Sequence, residues 1–407
     1  MRQVFLTATA VLGALVVSAC ALRFSALPWF WVGLAVSSAA FVIATGLPES
    51  LKLATTVVGS LPIALALAEM VVTGPPEVVK KTVPQLDQRD SLLGWRPGPS
   101  VVSRATATVN GETVYDVVYS IDQTGHRVSP PERATEPEGC VFFFADSFMY
   151  GEGVGDRDAL PYKVGVKTQG RFRVINYAFS GYGAEHMLAI VERGELAASN
   201  TPCEPTHIVY AALPHHVLRA AAKTDFSARG PRYRLGSNGT PEYVGTHPDP
   251  PVVAGWRKRL TDQLSKSRVY RALTVRAPET SQADIDLYFA IVKQAFRLIA
   301  QRWPGARIDL ISWDLHDFYA RDLATFHHGL ESLGVTVHFI EQILPGYTQN
   351  PLKFSLHPAE LHPNPLAYDM VASYLVEHVL TTPSSQERLA KLKAADQPQT
   401  GSPEGRR

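Results

Sequence analysis

The sequence predicts an α/β protein with a doubly wound parallel sheet of five strands. A small β unit and, at the N-terminus, three transmembrane helices are expected to precede it. Three observations carry this prediction. Five short apolar runs alternate with helical stretches in the C-terminal part of the chain, as strands joined by crossover helices do. An Asn-Gly pair stands between two β-like runs, a strong hairpin signal. The first 73 residues hold only five charged side chains (Arg2, Arg23, Glu49, Lys52 and Glu69), in a chain of 407 residues that is 19% charged.

Taken in order, residues 4–22, 24–48 and 53–68 are uncharged runs of 19, 25 and 16 residues, the last reaching 73 if Glu69 is tolerated. Crossing a bilayer takes about 20 apolar residues. Residues 1–73 are therefore expected to hold three spans joined by short turns. Trp29 and Trp31 would anchor the start of the second span at the interface, and Glu69 would lie near the interface at the end of the third. Val17-Ser18-Ala19-Cys20 has the look of a lipoprotein cleavage box. It is read as a small-residue patch, because two further spans make a lipid anchor redundant. One Arg is a weak polar flank for a signal peptide. The charges of the connecting turns orient the spans poorly.

Residues 74–90 contain Pro75, Pro76, Pro84 and mixed charges, and read as a linker. Residues 91–138 read as the small β unit. Ala105-Thr106-Ala107-Thr108-Val109 and Val114-Tyr115-Asp116-Val117-Val118-Tyr119 flank Asn110-Gly111, and Trp95 and Pro97 are expected to pack the unit on its neighbour. Residues 139–383 form the main domain, with strands at 140–144, 174–178, 208–213, 308–313 and 335–340. Helices lie between them, among them 185–192 and 285–302. In the latter Ile285, Phe289, Val292, Phe296 and Ile299 recur at helical spacing. Arg232-Tyr233-Arg234-Leu235, Asn238-Gly239 and Tyr243-Val244 read as an inserted hairpin, either a wall of the cleft or a surface ornament. Residues 384–407, rich in Ser, Gln, Pro, Gly and charge, read as a disordered tail.

Ligands of such sheets bind beyond the carboxyl ends of the strands, so the residues after each strand are where chemistry is sought. Strand one is followed by Ala145-Asp146-Ser147-Phe148 and then Gly151-Glu152-Gly153-Val154. A serine on a tight strand-to-helix turn is exposed beside helix N–H groups, which suits a nucleophile; a plain helix cap by Asp146 or Ser147 is the ordinary alternative. Strand two carries Asn176 near its end, followed by Gly181-Tyr182-Gly183. Strand three is followed by Pro214-His215-His216, with Arg219 beyond. After strand five comes Glu360-Leu361-His362-Pro363-Asn364, then a helix over 366–380. A histidine held by a carboxylate is the base a serine nucleophile requires.

Together these motifs resemble the SGNH (GDSL-like) hydrolase family, over residues 139–382. That pattern has a Gly-Asp-Ser after strand one, a Gly after strand two, an Asn after strand three and an Asp-x-x-His or Asp-x-His before the last helix. Leu93-Gly94-Trp95 is similar to a segment that precedes such domains in membrane-anchored bacterial members. The resemblance implies a flavodoxin-like five-stranded sheet, Ser147 as nucleophile and His362 as general base. It also implies the N–H groups of Ser147 and Gly181 as oxyanion donors, with Asp146 and Asn176 in support. Three departures stand out. Ala145 replaces the first Gly. The triad acid falls at Ala359 or, for the shorter spacing, at Glu360, which is taken. His215 or His216 stands at the Asn position, and His216 is taken as the third donor.

Other readings are set against these. The charge balance, 39 Lys+Arg against 38 Asp+Glu, excludes the basic footprint of a protein that mainly binds nucleic acid. Three cysteines are too few for a disulfide scaffold; Cys140 and Cys203 would pair only in an oxidising compartment, and two buried free thiols are the preferred reading. His357, Glu360 and His362 have the residue types of a metal site, but Pro358 and Pro363 break the helix that a His-Glu-His zinc motif uses. Neither metal nor cofactor is expected. Asp314-Leu315-His316 is a rival dyad without the flanking motif, and His327-His328 is given no specific role.

The resulting expectation is a serine ester hydrolase anchored in a bacterial inner membrane by several spans, its catalytic domain periplasmic. Its partners would be the bilayer and an ester substrate such as an acylated carbohydrate. An O-acyltransferase of exopolysaccharide or cell-wall modification is the first alternative. A non-catalytic carbohydrate-binding or scaffold protein on a degenerate fold of this type is the second.

Overall fold

The computed structural model describes residues 78–131, 137–196, 203–224, 227–248, 267–274, 279–314 and 323–380, with a few single residues between them. The chain divides into two compact units, Met1–Pro75 with Val252–Arg276 and Pro76–Pro251 with Ala277–Arg407. The described part of the first includes a short helix, Arg268–Thr274. The second carries every residue discussed below.

It begins with antiparallel strands. β1 (Val78–Val83) pairs with β4 (Val102–Val109), which pairs with β5 (Glu112–Ser120), while β2 (Asp87–Asp90) pairs with β3 (Gly94–Pro97). At the β4–β5 turn Asn110 and Gly111 both take positive φ, 50° and 88°, the type I′ geometry that matches strand twist. Residues 78–90 are thus strands where a linker was expected. Val78-Val79-Lys80-Lys81-Thr82-Val83 has its whole length exposed, and its two lysines are what a sheet edge tolerates. Composition alone could not separate that edge from a linker.

The main sheet follows: β6 (Gly139–Phe144), β7 (Phe172–Asn176), β8 (Pro205–Ala212), β11 (Arg307–Ser312) and β12 (Thr336–Phe339). They are arranged β12-β11-β8-β6-β7, and every pairing is parallel. This is the doubly wound order with its switch point between β6 and β8. Cys140 to Phe144 are all buried, as a central strand covered on both faces requires. Between β8 and β11 the inserted hairpin appears as β9 (Pro231–Leu235) and β10 (Pro241–Thr246). Its Tyr233 hydroxyl donates to Glu192 at 2.7 Å.

Eight helices of this unit are described: α1 (Ser147–Tyr150), α2 (Leu160–Lys167), α3 (Ala184–Glu192), α4 (His216–Ala220), α5 (Gln282–Arg302), α6 (Leu323–Glu331), α7 (Ile340–Ile343) and α8 (Pro365–Leu375). α5 packs with α3 and α4, and α8 with α2, forming two separate helix groups. A capping box starts α5: Ser281 Oγ accepts from the Asp284 amide, and the Asp284 carboxylate accepts from the Ser281 amide at 2.7 Å. A short hairpin, β13 (Ser355–His357) and β14 (Glu360–Pro363), leads into α8.

Two expectations are corrected. No helix among the described residues is long and apolar enough to cross a membrane. The longest, α5, carries Asp284, Asp286, Lys293, Arg297 and Arg302 along its length. The three spans read in residues 1–73 fall almost entirely on residues outside those described. An uncharged run measures composition, whereas a span also needs an unbroken helix that closes its own hydrogen bonds. The fold is therefore stated without the spans, and the multi-pass inner-membrane placement built on them is dropped. Secondly, Cys140 and Cys203 are not free thiols but form a disulfide, with Cα atoms 6.3 Å apart. Cys140 pairs with Pro205 across β6 and β8, which brings Cys203 beside it. The expected tail at 384–407 lies outside the described residues.

Candidate active site

The Ser147 turn is built around a buried aspartate. Asp146 caps α1, its Oδ1 accepting from the Phe148 amide at 2.9 Å. Its Oδ2 accepts from Arg219 Nη1 at 2.9 Å and lies 3.0 Å from His215 Nε2 and 3.2 Å from His216 Nε2. Burial alone would raise the Asp146 pKa, but the Arg219 charge first, and then the two histidines beside it, hold it well below the ordinary carboxylate value. Burial pushes both histidines down, His215 to about 3, with Arg219 adding to the effect. The cluster at neutral pH is thus one anion, one guanidinium and two neutral imidazoles. It fixes the turn so that Ser147, 7% exposed, heads α1 with an amide that has no acceptor within the helix.

β14 brings His362 to the same point from the other end of the domain. His362 Nε2 is 2.8 Å from Ser147 Oγ, across 215 positions of sequence. Its Nδ1 meets the carboxylate of Glu360, two residues earlier on the strand. Side chains at i and i+2 share one face of a strand, which is why Glu-x-His can form this pair. Burial tends to raise the Glu360 pKa, but the hydrogen bond from His362 and the nearby charges bring it below its usual value. An ionised carboxylate only accepts, so Nδ1 carries the hydrogen and Nε2 is left to accept from the serine. Asn364 fixes the strand exit: its Oδ1 accepts from the Ala367 amide at 3.0 Å, capping α8, and its Nδ2 donates to Lys353 O at 2.9 Å. Tyr368 on α8 donates to Phe148 O at 2.7 Å, tying α8 to α1.

A second carboxylate approaches the imidazole from the opposite side. Gly151 and Gly153 take φ of 88° and 86°, a region that favours glycine, and they bracket Glu152. A Cβ at Gly153 would run into the Leu356 side chain. Arg127, 2% exposed, locks the turn by donating to the carbonyls of Tyr150, Gly151 and Val154 at 2.8, 2.6 and 2.7 Å. Glu152 Oε2 accepts from Ser180 Oγ at 2.6 Å and lies 4.0 Å from His362 Nε2. Burial opposes its charge, but His362 and Lys80 outweigh that and bring its pKa to about 2. Lys80 on β1 reaches Glu152 Oε1 at 2.7 Å and Glu360 Oε2 at 2.8 Å.

Not every expected residue faces Ser147. His216 is fully buried, with Nδ1 3.2 Å from Tyr210 Oη and Nε2 against Asp146. The reading of its ring as a third oxyanion donor is corrected: the ring is closed off from solvent, its Nδ1 meets Tyr210 Oη, and its Nε2, 3.2 Å from Asp146 Oδ2, makes no hydrogen bond there. His215 likewise turns its Nε2 to Asp146. Asn176 holds the turn from behind, donating to Met149 O at 3.3 Å and accepting from the Ala178 amide at 3.1 Å. Gly181 follows Ser180, whose carbonyl accepts from Trp95 Nε1 at 2.9 Å. The rival Asp314 instead meets His327 Nε2, at 2.9 Å, and His316 lies outside the described residues. His357 Nδ1 accepts from the Ala359 amide at 3.0 Å.

Among the described residues, Asp146, His215 and His216, and separately Glu152, Glu360 and His362, gather donor atoms closely enough for a cation, within 4.8 Å of one another. In both groups a side chain supplies the positive charge, Arg219 in the first and Lys80 in the second, and we assign no metal to either. Sequence reasoning missed Lys80, Arg127 and the role of Glu152. Only Glu152 left a signal, a charged residue bracketed by glycines directly after the serine turn.

No protein-family model matches the chain, and no curated protein matches it. Solved structures that share a weak likeness with it include the following three. A lipolytic protein of the G-D-S-L family from Desulfitobacterium hafniense is 11% identical, with a TM-score of 0.34 over 59% of this chain and 99% of that one. A GDSL-like lipase from Parabacteroides merdae is 10% identical, with 0.34 over 61% and 98%. A catalytic mutant of Axe2, an acetylxylan esterase from Geobacillus stearothermophilus, is 12% identical, with 0.32 over 59% and 94%.

Proposed function

We propose that this chain is a serine ester hydrolase. One observation carries the reading: Ser147 Oγ stands 2.8 Å from His362 Nε2 while Glu360 holds the other ring nitrogen. That is the order a nucleophile, its base and an orienting acid must take.

In the proposed reaction His362 Nε2 takes the Ser147 proton as Oγ attacks the acyl carbonyl carbon. The carbonyl oxygen becomes an oxyanion, received by the amides of Ser147 and Gly181. Glu360 stabilises the imidazolium without taking its proton. The C–O bond to the alcohol then breaks, and the alcohol leaves with the proton from His362. Water attacks the acyl-serine with His362 again as base, releasing the acid and restoring Ser147. The fixed Asp146–Arg219 pair supports this by holding the serine turn rigid.

The test uses the full chain with p-nitrophenyl acetate and a fluorophosphonate probe. Wild-type protein is expected to hydrolyse the ester and to be labelled at Ser147; Ser147→Ala is expected to do neither. Equal hydrolysis by both proteins would overturn the reading.

A further inference from the structure

Lys80 reaches this network from outside the α/β sheet and its connections. It lies on β1, paired at Ala107 to the antiparallel layer, yet its ammonium bridges Glu152 Oε1 and Glu360 Oε2 at 2.7 and 2.8 Å. Those carboxylates flank the two nitrogens of one imidazole. Glu360 meets Nδ1, and Glu152 stands 4.0 Å from Nε2, the atom that exchanges a proton with Ser147 in the proposed reaction. We propose that Lys80 is a positioning residue of the active site, acting through both carboxylates to keep His362 neutral and aimed at Ser147. This deepens, and rests on, the hydrolase reading.

The physical argument is a charge count. Two anions flanking one imidazole favour its protonated form, and a protonated imidazole cannot act as a base. A cation between the anions cancels much of that field while leaving Glu360 free to orient the ring. The charged and titratable groups around this point among the described residues are Glu360 and His362 on β14, Glu152 after α1, Lys80 on β1, Tyr115 and Tyr119 on β5, Tyr150 on α1 and Tyr368 on α8, with Arg127 packed on Tyr119 and Tyr150. Burial lowers the Lys80 pKa, but Glu152 and Glu360 more than offset it, so the ammonium stays charged at neutral pH.

The experiment follows the rate of fluorophosphonate labelling, and of p-nitrophenyl acetate hydrolysis, between about pH 5 and 9 in full-length variants. In Lys80→Met the acid limb is expected to move to higher pH by about one unit, the scale set by one nearby charge. Lys80→Arg should restore it. Glu152→Gln removes an anion, leaves Lys80 and should move the limb to lower pH. Opposite shifts from two partners of one ion pair are not what loss of stability produces. Should Lys80→Met fail to fold, the Glu152→Gln direction decides. If Ser147→Ala is inactive but the variants keep the wild-type limb, the Lys80 proposal is overturned and the hydrolase reading survives. Absence of wild-type labelling at Ser147 would overturn both.

Discussion

The indole nitrogen of Trp95 donates to the carbonyl of Ser180 at 2.9 Å. In a planar trans peptide the carbonyl and the following amide point in opposite directions. Trp95 therefore turns the Gly181 N–H away from itself. The Tyr182 hydroxyl donates back to Trp95 O at 2.8 Å, so the loop is clamped on both sides of that peptide.

Replacing Trp95 with Phe is expected to free this peptide and lower kcat by about tenfold or more, approaching the 10²-fold that loss of an oxyanion donor causes. KM should change little. Steady-state kinetics on a short-chain ester checks this, and a rise in KM at constant kcat would contradict it.

Glu360→Gln keeps the shape of the side chain but removes the charge that stabilises the imidazolium and selects its tautomer. A loss of kcat on the order of 10²–10⁴ is expected, with the melting temperature little changed. Retention of more than about a tenth of wild-type kcat would remove Glu360 from its proposed role.

Asp146 pairs with Arg219 at 2.9 Å and lies 3.0 and 3.2 Å from the Nε2 atoms of His215 and His216. Asp146→Asn removes the carboxylate paired with a buried guanidinium and should destabilise the protein by about 3–5 kcal/mol. Urea unfolding measures this, and a loss below about 1 kcal/mol would mean that the cluster rearranges.

His215 gives a pH dependence of defined sign. Its folded-state pKa is depressed to about 3, whereas the unfolded chain takes up the proton near the ordinary value of about 6.5. Stability from this group is complete above the unfolded value and is lost as pH falls toward the folded one. The limiting slope is about 1.4 kcal/mol per pH unit. The urea midpoint should therefore fall from pH 7 to pH 5, and His215→Gln should flatten that fall. An equally steep fall in the variant would assign the effect elsewhere.

The Cys140–Cys203 bond closes 63 positions of chain. Reduction is expected to lower stability by roughly 4 kcal/mol on a loop-entropy account. With three cysteines in the chain, thiol titration in denaturant should find one thiol before reduction and three after it. Three thiols before reduction would contradict the pairing.

The residues that were legible from the sequence share one property: short segments position them. The apolar run ending at Phe144 and the turn Ala145-Asp146-Ser147 sit together, and Glu360 and His362 share a strand face. The parallel sheet was legible for the same reason, since each strand is a local apolar run. β7 starts and ends two residues before its expected bounds, because the chain turns after Asn176, whose side chain accepts from Ala178. Lys80 and Glu152 are 72 positions apart, and nothing near Lys80 in sequence distinguishes it from Lys81. His216 was misjudged because its ring is buried against Tyr210 and Asp146, the latter on another strand's turn. The N-terminal spans were read from composition alone; they fall almost entirely on residues outside those described, and no helix among the described residues is long and apolar enough to cross a membrane.

That β1 reaches Glu152 and Glu360 beside His362 has a practical bearing on shortened versions of this protein. A fragment cut at the start of β6 would retain Ser147, Glu360 and His362. It would lack the Lys80 ammonium between the two carboxylates, the Arg127 contacts that lock the Glu152 turn and the Trp95 clamp on the Ser180 carbonyl. Truncations meant to report native behaviour should begin upstream of Val78.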